Sequence, residues 1–143
     1  MRAPTSPRYN HERAFHFTLW SAQLLLAGTF AAAALTKLLS RPERLIEAMA
    51  WADSVPAWLV YMLGGLELIG AVLVAVPAVT RTPQRIVGIT ALVFMALMVA
   101  AAIVHLGRGE LRMLPINCGV AALAAFVAWG RLTHKPLEAD GQF

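Results

Sequence analysis

Charge is scarce in this sequence. Only 14% of its residues are Asp, Glu, Lys or Arg, while 59% are hydrophobic, and the mean hydropathy is +0.64. A soluble domain has to cover its surface with far more polar side chains. Cysteine occurs once, at Cys118, which excludes an intrachain disulfide, a CxxC redox pair and a thiolate metal cage. No phosphate loop, nucleophile elbow or zincin motif is present. No stretch alternates apolar and polar residues as a strand would, and there is no low-complexity tract. Acidic residues number 8 against 12 Lys and Arg, a net charge of +4. The basic residues cluster at the edges of apolar blocks, which favours a lipid bilayer over nucleic acid as the partner.

What fills the chain is apolar sequence in four blocks, at about 17–39, 57–76, 86–106 and 111–129. Each is long enough, at about 1.5 Å per residue, to cross most or all of a hydrocarbon layer about 30 Å thick. The expected fold is all-α, a four-transmembrane-helix bundle over residues 17–132 with a polar N-terminal segment, 1–16, and a polar C-terminal tail, 133–143. The lead is read as largely unstructured, with a short amphipathic turn near Phe15. A signal-peptide reading of the first block, with cleavage near Ala31–Ala34, is disfavoured because such a core is usually about 7–15 residues long.

Residues 40–56 are the longest connection. Ser40 and Glu43 have capping-box spacing and Pro42 suits a first helical turn. Leu45, Ile46, Met49 and Ala52 recur at helical spacing, which predicts a short interfacial helix with Trp51 and Trp58 near the headgroups. Thr82 and Pro83 predict a cap and start for the third span, Gly107–Glu110 a tight turn before the fourth, and Pro115 is tolerable in the fourth's first turn.

Four spans put both termini on one side. That side carries seven basic residues (Arg2, Arg8, Arg13, Arg81, Arg85, Arg131 and Lys135) and the other carries five (Lys37, Arg41, Arg44, Arg108 and Arg112). The positive-inside rule then predicts cytoplasmic termini.

Glu67 breaks the oil. It stands about ten residues into the second span, in Leu-Gly-Gly-Leu-Glu-Leu-Ile-Gly. A charged residue at mid-helix costs on the order of 2.5–3.5 kcal/mol on the insertion scale. Binding a proton or pairing with a cation lowers that cost. Its neighbours one turn away are Leu63, Gly64, Gly70 and Ala71; three of the four are small, so another helix can approach this face. Lys37 closes the first span, His105 closes the third, and Asn117 lies about six residues into the fourth. Helical rise places all four in one half of the bilayer, one from each helix. Gln23 lies deeper on nearly the face of Lys37. The ordinary alternatives are a snorkelling lysine, an interfacial histidine, an asparagine joining helices and a small buried cysteine at 118. A polar core that only specifies packing is the bland reading of the set. Haem is disfavoured because His11, His16 and His134 belong to the opposite side from His105, and a metal centre would have too few donors.

Thr36-Lys37-Leu38 ending span one, Gly64-Gly65-Leu66-Glu67 in span two and Ala102-Ile103-Val104-His105 ending span three, in that order, resemble the DoxX-like membrane proteins over roughly residues 17–132. One departure is visible: the family often has glycine three residues before the lysine, where this chain has Ala34. The resemblance implies a small integral membrane protein, of a bacterial inner membrane, that supports a membrane redox complex. Founding relatives are associated with a quinol oxidase fed by thiosulfate, and others with oxidoreductase complexes in oxidative-stress defence. On that reading Lys37, Glu67, His105 and Asn117 bind a small polar or quinone-type headgroup drawn from the membrane, with Glu67 exchanging protons. Electrons come from other membrane or soluble redox proteins, because the chain shows no redox centre of its own. The alternatives are a small proton-coupled transporter and a membrane scaffold without chemistry.

Overall fold

The computed structural model describes residues 7–78 and 83–133. Among them every regular element is helical: α1 (Pro7–Leu39), α2 (Pro42–Ala48), α3 (Ala57–Ala75), α4 (Gln84–Gly107) and α5 (Leu114–Thr133), with short 3-10 turns at Ala50–Ser54, Val76–Ala78 and Leu111–Met113. Four helical stretches, His11–Leu39, Ala57–Ala75, Gln84–Gly107 and Leu111–Thr133, are long and apolar enough to span a membrane. The expected all-α bundle with a short helix between its first two spans is therefore the fold.

Three local expectations are corrected. The lead expected to be unstructured over residues 1–16 is helical from Pro7, because α1 continues through Phe15, whose ring packs edge-on against Phe126 and Trp129 of α5. The Ser40–Glu43 capping box does not form. Proline disfavours the helical region for the residue before it, so Arg41 is extended (φ −71°, ψ 155°) and becomes the N-cap, while the Ser40 carbonyl accepts the Tyr61 hydroxyl at 3.0 Å. The helical stripe from Leu45 to Ala52 is also interrupted: α2 ends at Ala48, Met49 is extended, and a 3-10 turn follows. Leu45 and Ala52 still bury together against Val60, whereas Ile46 is exposed. The cap expected from Thr82 lies outside the described residues, as does the tail beyond Thr133; α4 starts with Pro83 as its N-cap.

The bundle is built from two helix pairs. α1 packs along α3, and α4 along α5, with sparser contact between the pairs. Glycine sets the closeness of the first pair. A Cβ on Gly64 would sit 2.9 Å from the Lys37 Cβ and 3.3 Å from the Ala34 carbonyl oxygen, so the backbones of α3 and α1 nearly touch there. Ala34 is fully buried at this crossing. Its single methyl suits the site, which is why the departure from glycine is tolerated. Across the pairs, Phe30 of α1 stacks on Phe94 of α4 with centroids 3.5 Å apart, and Gly70 of α3 leaves room for the Phe94 ring. The outward faces carry Leu25, Leu66, Ile69, Val93, Ile103 and Ile116, each exposed by half or more. In water such a surface would aggregate; in hydrocarbon it is solvated.

Candidate functional site

Lys37 lies in the last turn of α1, and Glu67 lies halfway along α3, on the face that its small neighbours Gly64, Gly70 and Ala71 bury. Their side chains meet: Lys37 Nζ donates to Glu67 Oε2 at 2.7 Å, with only 7% and 4% of the two side chains exposed. Two opposite charges thus stand together where neither is solvated. The gain in such a place is mainly negative: the pair prevents the penalty that either charge would suffer alone.

His105 stands in the last turn of α4 and takes a different partner. Its Nδ1 lies 2.5 Å from Glu110 Oε2. The end of α4 makes this contact. Gly109 has φ +73°, the left-handed region that glycine enters without strain, and Glu110 N–H donates to the His105 carbonyl while Gly109 N–H donates to that of Leu106. This Schellman turn folds Glu110 back beside the ring. Arg108 completes the cluster: its Nε donates to Glu110 Oε1 at 2.8 Å, Nη1 to Ser54 Oγ at 2.5 Å and Nη2 to the Ala50 carbonyl at 2.9 Å, with Asp53 at 3.5 Å. The turn after α4 is thereby clamped to the 3-10 segment after α2. Glu110 is held below the ordinary carboxylate range, first by the Arg108 hydrogen bond and next by that from His105; Arg108 is raised, chiefly by the hydrogen bond to Glu110.

Asn117 is buried in α5, and its Nδ2 has no hydrogen-bond partner among the described residues. No hydrogen bond joins His105 or Asn117 to Lys37 or Glu67 among the described residues. The four residues singled out in the sequence therefore occupy one end of the bundle as a buried pair, a clamped histidine and a lone amide. At the opposite end sits a knot that sequence reasoning missed. Gln23 is fully buried; its Nε2 donates to the Val74 carbonyl at 2.6 Å and its Oε1 accepts Arg131 Nε at 2.7 Å, while the Arg131 guanidinium lies 4.4 Å from the Trp20 ring centroid. Arg108, Glu110, Asp53 and Ser54 were missed as well. The one usable signal was Gly109, a left-handed glycine at a helix end.

Two cavities meet at His105 and Trp51. One, of about 180 Å³, lies between α3 and α4 and is walled by Leu63, Leu97, Ala100, Ala101 and Val104. The other, of about 430 Å³, opens above it between the segment 47–51 and the turn at Glu110, Arg112 and Met113. The first is a greasy chamber at the loose seam between the helix pairs, and the second adds the charged side chains of Glu47, Glu110 and Arg112 to a still mainly apolar lining. Leu63 is one turn from Glu67 on α3. A third cavity, of about 240 Å³, runs between α4 and α5 past Asn117 and Cys118. Among the described residues no group of three or more His, Cys, Asp or Glu side chains is placed to hold a metal ion.

Four candidate spans with a lipid-facing apolar surface define an integral membrane protein, with a polar Lys–Glu pair and a His–Glu–Arg–Asp network at one end. Residues 21–127 match the DoxX-like family, and the chain belongs to that family. No curated protein and no solved structure matches it.

Proposed function

We propose that this DoxX-like protein is an accessory subunit of a membrane redox complex, and that the chamber between α3 and α4 receives a quinone-type headgroup from the bilayer. The observation that carries the reading is the chamber itself: an apolar space of about 180 Å³ whose lining includes an imidazole and an indole, His105 and Trp51. Ligand sites are mostly apolar with a few placed polar groups, and this one opens at the seam where the bundle is least tightly packed. His105 fixes the polar end of the headgroup and Trp51 supplies a flat wall. Glu67, one helical turn from the chamber-lining Leu63 on α3, exchanges protons, and its partner Lys37 on α1 balances its charge. Asn117 serves the same end from α5. Electrons come from a partner protein, membrane-bound or soluble. The domain is residues 17–132, with both termini in the cytoplasm of a bacterial inner membrane, following the excess of Lys and Arg on that side.

The test is purification of the intact chain from its membrane in mild detergent, with co-eluting proteins and extracted small molecules identified. A quinone-class molecule retained by the wild type and lost from His105→Leu, together with a reproducible redox partner, supports the reading. Recovery of neither overturns it. A Glu67→Gln variant in which the associated complex keeps full activity removes the proton-exchange role. The mutual pairing of Lys37 and Glu67 favours a second reading for those two residues alone: a lock that fixes α1 against α3 and takes no part in chemistry.

A further inference from the structure

We infer that the ligand held at His105 presents a hydroxyl donor, so that the site selects the hydroxylated, reduced form of an aromatic headgroup over its carbonyl form. This rests on the headgroup reading of the chamber above and adds to it which form of the ligand binds.

The argument is one of hydrogens. An ionised carboxylate only accepts, so the proton between Glu110 Oε2 and His105 Nδ1 belongs to the ring. Glu110 stays ionised because Arg108 Nε donates to its other oxygen. Arg108 also balances the carboxylate's charge. In its neutral form, with the proton on Nδ1, the ring has a lone pair on Nε2. That nitrogen has no hydrogen-bond partner among the described residues, and the side chain, 13% exposed, borders both the apolar chamber and the neighbouring cavity that Glu110 and Arg112 also line. A carboxylate behind a histidine fixes the tautomer and strengthens the far nitrogen as an acceptor, as it does for histidines that bind metals. Facing such an acceptor, a ligand hydroxyl gains a hydrogen bond, and a ligand carbonyl sets one lone pair against another. Trp51 borders both cavities too and offers an aromatic body a face to lie on.

Glu110 is here a positioning residue, and its role is read by selectivity. The detergent-purified full chain is dialysed to equilibrium, without oxygen, against tetramethylhydroquinone and separately against tetramethylbenzoquinone, with His105→Leu giving the background of uptake by the micelle. The expected result is about tenfold tighter binding of the hydroquinone, the size of one hydrogen bond. In Glu110→Gln the amide can donate to Nδ1 as readily as accept from it, so both tautomers become available. The preference should then fall to about twofold or less while the benzoquinone affinity holds. Equal affinity for the two forms in the wild type, or a preference for the benzoquinone, overturns the inference and leaves the headgroup reading standing. A preference that survives Glu110→Gln unchanged also overturns it. Binding of neither form above the His105→Leu background removes the headgroup reading and the inference together.

Discussion

The Lys37–Glu67 pair and the Arg108 cluster are both charge contacts between segments distant in the chain, at the same end of the same bundle. They differ in their surroundings. The first is almost wholly buried between α1 and α3, while the Arg108 and Glu110 side chains keep 29% and 25% of their surface and Asp53 keeps 54%. Burial makes the first contact costly to break from one side, since the orphaned charge has no water to turn to. Exposure makes the second easy to break, since each member can be hydrated instead. The buried pair should therefore govern whether the fold holds, and the exposed cluster should govern the strap of residues 40–56 that covers the two cavities.

The largest effect is expected from Lys37→Met, which leaves Glu67 alone among apolar neighbours. The loss should be about 3 kcal/mol or more, read as a fall in the thermal midpoint in detergent. A neutral result would place the pair with the exposed cluster and dissolve the contrast. Next comes Gly64→Val. Its Cβ would stand 2.9 Å from the Lys37 Cβ, so α1 and α3 must separate, at a cost of about 1–3 kcal/mol. Gly65→Ala, one residue on, meets nothing within 4 Å and should be neutral or stabilising by up to about 1 kcal/mol. Equal effects at the two glycines would mean that the close approach of the helices does not hold the pair together.

A smaller, local effect is expected at the turn. Gly109→Ala places a side chain at φ +73°, costing about 1–2 kcal/mol, and should free Glu110 from His105. The readout is faster proteolysis or hydrogen exchange across residues 40–56, with α1 and α3 unchanged. The smallest is the pH response. Because the Glu110 carboxyl is lower in the folded state, its contribution is complete above the ordinary carboxylate value of 4.5 and fades as pH falls through the lowered one. Arg108 is raised and stays charged throughout that range. Exchange across the strap should therefore be flat in Glu110's contribution above about pH 5 and should rise only in acid, below the ordinary carboxylate range. Glu110→Gln should remove that acid-induced rise.

The same contrast separates what the sequence makes legible from what it does not. Span positions follow from hydropathy, which is local, and so does the inward face of Glu67, because three of its four helical neighbours are small. Lys37 was legible as a partner because helical rise fixes depth, and depth brings it into the same half of the bilayer as Glu67. Depth says nothing of direction around a helix axis. His105 lies at the right end of the bundle, yet a left-handed glycine four residues on turns Glu110 back to it, and that choice rests on one backbone angle. Gln23 and Arg131 are 108 residues apart, and their meeting follows from how α1 and α5 cross, which no local pattern encodes. The failed capping box is a third kind of miss. Ser40 and Glu43 have the right spacing, but Pro42 moves the helix start one residue along.

The central claim is that Lys37 and Glu67 act as one buried unit. A double-mutant cycle of Lys37→Met, Glu67→Leu and their combination, followed by unfolding in detergent, tests it most directly. The account predicts that each single change is strongly destabilising, that the double variant regains most of the loss, and that the coupling exceeds about 2 kcal/mol. Single effects that simply add in the double variant would contradict it.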